Sequence, residues 1–364
     1  MKKFKLNIKL LVYGFPFPDE KFVMDNFELK AEKMDLAIIG NITQENQFIP
    51  AVYIFNCLFQ LKGDENNYYS FFETVKDIEY NISNNKAKTK ANIIKYFSEL
   101  VDIDLLIENF KKKLRLIYNL RIIFPIYKVI IFNEDDKRIG FFTNYNDFPA
   151  QPGLNSNFDR KKFTKNSRIG FDLKSFLSTE KSNIKFSRAM SLFNDSFESS
   201  DCSIRFLLLF SCLESLFLNT KTNITETIAV CTSRILLYEK AEDEDAMYEK
   251  IKNLYDCRCK FIHGKKLNGI SMDLELELRE VVRYVLLIYW NLSLSGKTSN
   301  EIISMLKNKE KIPLQTRMYA KVIKSENYNQ AYKECLSMVA VEIVKGNVKI
   351  TEQENGIIKS VEEI

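Results

Sequence analysis

The chain opens on an alternation of apolar and charged positions. Phe4, Leu6, Ile8 and Leu10 interleave with Lys3, Lys5, Asn7 and Lys9, the period of a strand with one dry face and one wet face. A strand over Phe4–Tyr13 is expected. Val52–Leu61 is a second β-rich run. Tyr127–Phe132 and Arg138–Thr143 flank the polar tip Asn133-Glu134-Asp135-Asp136, which suits a hairpin. Over Lys90–Leu120 the period lengthens: Ile94, Phe97, Leu100, Leu106, Phe110 and Leu114 recur at helical intervals, with Lys111, Lys112, Lys113 and Arg115 on the expected solvent side. Asn144–Gly170 carries Pro149, Pro152 and Gly153 among many Asn and Ser, which marks a domain junction.

Past that junction the pattern is almost continuously helical. Phe186–Glu198 is amphipathic, and Ile204–Leu218 is apolar on nearly every side, as expected of a helix at the centre of a bundle. Ile224–Glu239 follows Asn223 as N-cap, with Glu226 placed for a capping box. Asp245–Phe261 follows the acidic turn Glu242-Asp243-Glu244, and Leu274–Leu294 ends at Gly296. Further helical pattern surrounds Ile302–Leu306, Met318–Ile323 and Ala331–Val344. The fold class expected is α+β: a mixed α/β domain over 1–184, an all-α bundle over 185–296 and a helical C-terminal extension over 297–364.

Composition changes this picture little. With 364 residues, 46% hydrophobic and 28% charged, the chain suits two globular domains and an extension. The net charge of 53 − 48 = +5 divides into +6 over 1–185 (29 − 23), −3 over 186–296 (13 − 16) and +2 over 297–364 (11 − 9). A dedicated nucleic-acid-binding domain is usually more basic. Ile204–Leu218 and Val281–Leu294 are short and carry Arg205, Glu214 and Arg283, whereas a membrane span needs about 20 nearly uncharged residues. The start lacks an unbroken apolar core, interrupted by Lys9 and Pro16, so no secretory signal is expected. The 7 cysteines are odd in number and several fall within apolar helical pattern. That reads as reduced thiols in a cytoplasmic protein.

One histidine in the whole chain restricts the chemistry sharply. Ser-His-Asp triads, Cys-His pairs and HExxH zinc sites must use His263 or be absent. Cys257-x-Cys259 has the wrong spacing for a zinc knuckle, and no Walker motif or GxGxxG occurs, so no metal and no cofactor is expected. His263 lies five positions beyond Arg258, in Leu254-Tyr255-Asp256-Cys257-Arg258-Cys259-Lys260-Phe261-Ile262-His263-Gly264. Arg258 continues the inward face of Met247, Ile251 and Leu254, so its charge should emerge in a crevice. On an unbroken helix His263 would lie about 140° around the axis from Arg258. The two converge only if the helix ends between them or if a second copy supplies the partner.

Tyr-Asp-x-Arg-x-x-x-x-His-Gly, preceded by Leu213-Glu214-Ser215-Leu216-Phe217 on an apolar helix, resembles the HEPN superfamily, most of all its ApeA-like branch in bacterial anti-phage defence. The likeness covers residues 186–294. It implies a HEPN-like helical bundle that forms a homodimer, joins two Arg-x4-His motifs and cuts RNA without metal. It also implies a role in abortive infection or as a toxin, with a phage-derived trigger or regulatory partner acting at the N-terminal domain. Cys259 stands where such families have a small polar residue.

The residue types suit that chemistry. His263 can pass a proton near neutral pH, and Arg258 can hold the charge of a pentavalent phosphate. Attack by the ribose 2′-OH would leave a 2′,3′-cyclic phosphate and a 5′-OH. Plainer roles remain open at each position. His263 beside Gly264 suits the negative end of a helix dipole. Glu214, a carboxylate in an apolar run, would orient Arg258 or Arg234 as a supporting group. Lys260, Lys265 and Lys266 flank the motif and could bind RNA phosphates. Arg160, Lys161, Lys162, Lys165 and Arg168, interleaved with Phe158 and Phe163, form either a single-strand binding patch or a solvated junction. The alternative to a nuclease is a non-catalytic module that binds RNA, a nucleotide or a protein, or that only dimerises.

Overall fold

The alternating start of the chain forms strand β1 (Lys2–Tyr13) in the computed structural model, which describes residues 2–13, 22–24, 27–33, 70–74, 80–83, 86, 88–119, 123–145, 183–219, 222–236, 241–264, 270–324, 328–354 and 357–363. Phe4, Leu6 and Ile8 are buried while Lys3 is exposed, as the pattern predicts. Strands β2 (Phe22–Met24), β3 (Phe27–Lys33), β4 (Ser70–Thr74), β6 (Ile123–Asn133) and β7 (Arg138–Tyr145) join β1 in an antiparallel sheet of order β2-β3-β4-β1-β6-β7. Strand β5 (Tyr80–Ile82) pairs with the first residues of β1. The β6–β7 hairpin turns on Asn133, whose side chain accepts from Lys137 N at 2.8 Å, and on Asp136 at φ 57°. The Val52–Leu61 run lies outside the described residues.

Two helices belong to the same unit, Met1–Arg160. The single helical run expected over Lys90–Leu120 is divided into α1 (Lys90–Ser98) and α2 (Val101–Tyr118), because Leu100 takes an extended backbone. Phe97 of α1 meets Phe4 edge-on at 5.7 Å, and Phe110 of α2 stacks on Phe124 at 5.9 Å. One expectation is overturned here. Lys113 and Arg115, placed on the wet side of the helix, are buried at 2% and 1% exposure, each with interaction partners. Lys113, Arg115 and Leu116 stand at different angles around the helix axis, so α2 is covered at these positions on more than one side.

The second unit, Lys161–Ile364, contains α3 (Ile184–Asp195), α4 (Cys202–Phe217), α5 (Ile224–Leu236), α6 (Ala241–Ile262) and α7 (Met272–Leu294), followed by α8 (Ser299–Lys307), α9 (Leu314–Lys324) and α10 (Tyr328–Val344). Helix α4 is central, packing against both α3 and α7. Its Phe206, Leu209, Phe210, Leu213, Leu216 and Phe217 are fully buried, and burial stabilises by about 1.5–3 kcal/mol per such side chain. Asn183, Asp201, Ser271 and Thr298 cap their helices through side-chain oxygens. At the start of α5, Asn223 has a left-handed φ of 52° and its carbonyl accepts from Thr227 N at 2.9 Å, and Glu226 accepts from the Tyr248 hydroxyl of α6.

The C-terminal extension packs on the bundle, α8 against α5 and α9 against α7, where Trp290 meets Tyr319 at 5.9 Å. It is not wholly helical. Strands β8 (Val348–Glu354) and β9 (Ile357–Glu363) form a hairpin, and Val348 joins Leu314 and Val339 in a small apolar cluster. Among the described residues, no helix is long and apolar enough to cross a membrane.

Candidate functional site

The site grows from two interlocking pairs on neighbouring helices. On α6, Tyr255 and Arg258 stand three positions apart and share a face. On α4, Phe210 and Glu214 stand four apart and do the same. The inner members meet first: the Tyr255 ring, 3% exposed, lies edge-on to Phe210 at 5.3 Å. The outer members then meet at the rim, where Arg258 Nη2 lies 3.0 Å from Glu214 Oε1 and both side chains are 22% exposed. Tyr255 Oη donates to the same carboxylate oxygen at 2.8 Å. The Arg258 guanidinium also lies over the Tyr255 ring, 5.2 Å from its centre. Burial, then the hydrogen bond to Glu214, push the Tyr255 phenol far above its ordinary range, so it acts as a donor.

Arg258 thus emerges from the inward face of α6, beyond the buried Ile251 and Leu254. Its Nε is buried with no hydrogen-bond partner among the described residues. The two candidate partners for Glu214 are now distinguished. Glu214 holds Arg258, whereas Arg234 pairs with Glu244 at 2.7 Å and donates to the Lys309 carbonyl at 3.1 Å.

His263 is exposed, and its backbone N–H still donates to the Cys259 carbonyl at 3.0 Å. The helical turn therefore persists through the motif instead of ending between its two key residues. Gly264 follows at φ +66°, a left-handed residue that closes the helix. With about 100° per residue, His263 lies on a different side of the α6 axis from Arg258. Ile262, immediately before the histidine, is 46% exposed. Lys260 is exposed on the outer surface of α6; Lys265 and Lys266 lie outside the described residues, as does the Arg160–Arg168 cluster.

Reading the sequence singled out Glu214, Arg258 and His263 but gave Tyr255 no role. The available signal was its position one turn before Arg258 on the same helical face. Among the described residues, no group of three or more His, Cys, Asp or Glu side chains is placed to hold a metal ion. Comparison of the chain with protein-family models, with curated proteins and with solved structures gives no match.

Proposed function

We propose that this chain is a metal-independent RNA endonuclease of the HEPN type, cytoplasmic and acting as an effector of anti-phage defence or as a toxin, with its helical bundle paired in a homodimer. The observation that carries the reading is the division of labour along α6. An oriented guanidinium stands on one side of the helix and the chain's sole imidazole stands exposed at its end. Pairing two copies about a two-fold axis supplies each Arg258 with an imidazole that its own helix turns away.

In that arrangement His263 exchanges a proton with the ribose 2′-OH or the leaving 5′-oxygen, and Arg258 holds the charge that builds on the phosphate. Lys260 adds positive charge along the RNA path. The mixed α/β domain acts as the sensor that shifts the population toward the productive dimer.

A second reading draws on the Glu214–Arg258 ion pair itself. A guanidinium already paired with a carboxylate also suits a non-catalytic bundle that binds RNA or a partner protein. His263→Ala separates the two. Loss of cleavage by about a hundredfold or more, with folding and dimerisation kept, supports the nuclease, whose products carry a 2′,3′-cyclic phosphate and form in the presence of a chelator. RNA binding without cleavage in both wild type and variant supports the binding module.

A further inference from the structure

We infer that Tyr255 is a positioning residue for Arg258, acting through Glu214; this deepens the nuclease reading above and rests on it. The three side chains close a ring of contacts. Tyr255 Oη holds Glu214 Oε1 at 2.8 Å, Glu214 Oε1 faces Arg258 Nη2 at 3.0 Å, and the Arg258 guanidinium returns over the Tyr255 ring at 5.2 Å. The ring itself is anchored in the core against Phe210.

Arginine is rich in rotamers, and a guanidinium that waits for a phosphate in one orientation spares the transition state that ordering. Glu214 alone would not achieve this. A carboxylate at 22% exposure on the rim of α4 can turn toward solvent. The phenolic hydroxyl, rooted in the packed interior, fixes which way it faces. Tyr255 touches neither the phosphate nor the reacting oxygens in this account, so its contribution is orientation rather than proton transfer.

Tyr255→Phe tests this in the full-length chain, because it keeps the ring, the Phe210 contact and the face beneath the guanidinium, and removes only the hydroxyl. On an RNA oligonucleotide kcat should fall about tenfold or more, while KM stays within about twofold and the melting temperature changes little. In an Arg258→Ala background the same substitution should cause no further loss. An unchanged kcat in Tyr255→Phe, or an equal fold-loss with and without Arg258, overturns the proposal.

A second readout is independent of RNA cleavage. Rotation of the Arg258 guanidinium about its Nε–Cζ bond, followed by nitrogen-15 NMR, should speed up in Tyr255→Phe. An unaltered rotation rate overturns the positioning role even if the melting temperature drops. A wild-type chain that cleaves no RNA overturns the nuclease reading instead, and the rotation measurement still decides whether Tyr255 positions Arg258.

Discussion

Arg205 Nη2 and Glu275 Oε2 lie 3.4 Å apart between α4 and α7, with the glutamate wholly buried. The same carboxylate holds Arg279, one turn further along α7, through Nε at 2.7 Å and through Nη2. The Arg279 guanidinium in turn lies over the Phe197 ring at 4.2 Å. One interior anion serves two interior cations. Among the described residues Arg205 Nε and Arg279 Nη1 have no hydrogen-bond partner, while Arg205 Nη1 also donates to the Ser200 carbonyl at 2.9 Å.

Removing that anion should therefore be severe. Glu275→Gln leaves two desolvated guanidinium groups facing a neutral amide, and breaking a buried ion pair from one side costs about 3–5 kcal/mol. Denaturant unfolding should show a loss of that order. The triple variant Arg205→Met, Glu275→Leu, Arg279→Met should recover much of it, since apolar replacements need no partners. A Glu275→Gln protein within about 1 kcal/mol of wild type would contradict the account.

Acid should act on the extension through Glu342. Lys311 at 2.6 Å, Asn347 at 2.8 Å and Arg317 at 3.2 Å hydrogen-bond its carboxylate. Led by the Lys311 bond, these hold its pKa at about 2 rather than the usual 4.5. A carboxyl depressed on folding stabilises fully above its unfolded pKa, and that contribution disappears as pH falls toward the folded value. Stability curves of the wild type and Glu342→Gln should stay apart from neutral pH down to about 4.5 and converge on approach to about 2. Salt should narrow the gap, because Lys311 is 53% exposed. Parallel curves across that acid window would refute the assignment.

Gly140 on β7 is crowded by the end of the Ile94 side chain rather than held by backbone shape. A Cβ there would stand 2.9 Å from Ile94 Cγ1 and closer still to Ile94 Cδ1. Gly140→Ala should destabilise the protein by about 1–3 kcal/mol. In an Ile94→Ala background the added penalty should largely vanish, because the clashing atoms are gone. Strict additivity of the two changes would mean that the penalty does not come from the Ile94 contact.

The thiols should divide by depth. Burial pushes Cys231 up to about 12 and Cys212 higher, whereas Cys257 and Cys259 are only half-buried. Since the thiolate is the reactive form, mild alkylation of the native chain near pH 8 should modify Cys257 and Cys259 before Cys212 and Cys231. Cys212 and Cys231 should react only on unfolding. Peptide mapping by mass spectrometry reads the order directly, and early modification of Cys212 would show that α4 opens locally.

Periodicity made the main elements readable. Phe4, Leu6 and Ile8 against Lys3, Lys5 and Asn7 announce β1, and the apolar run after Asp201 announces the central α4. Patterns misled where a charge does not mean water. Lys113 and Arg115 read as a wet face because a linear rule ignores their aliphatic stems, yet both are buried. Glu275 and Arg279 sit four apart on a buried stripe of α7, but Arg205, which completes their cluster, comes from 70 residues earlier in the chain. The Glu214–Arg258 pair became readable only because a lone carboxylate in an apolar helix demands a cation. Choosing between Arg258 and Arg234 needed the crossing of α4 and α6, which local sequence does not encode.

The lone imidazole at the end of α6 gives this protein a built-in reporter. With 1 histidine among 364 residues, a sample labelled selectively at histidine yields ring proton signals from a single address, with no assignment by mutation. Two copies in equivalent surroundings share one set of lines; two copies seated differently give two sets. The aromatic spectrum therefore counts the environments of the proposed catalytic ring, and adding an RNA strand or a trigger would show at once whether both halves respond together.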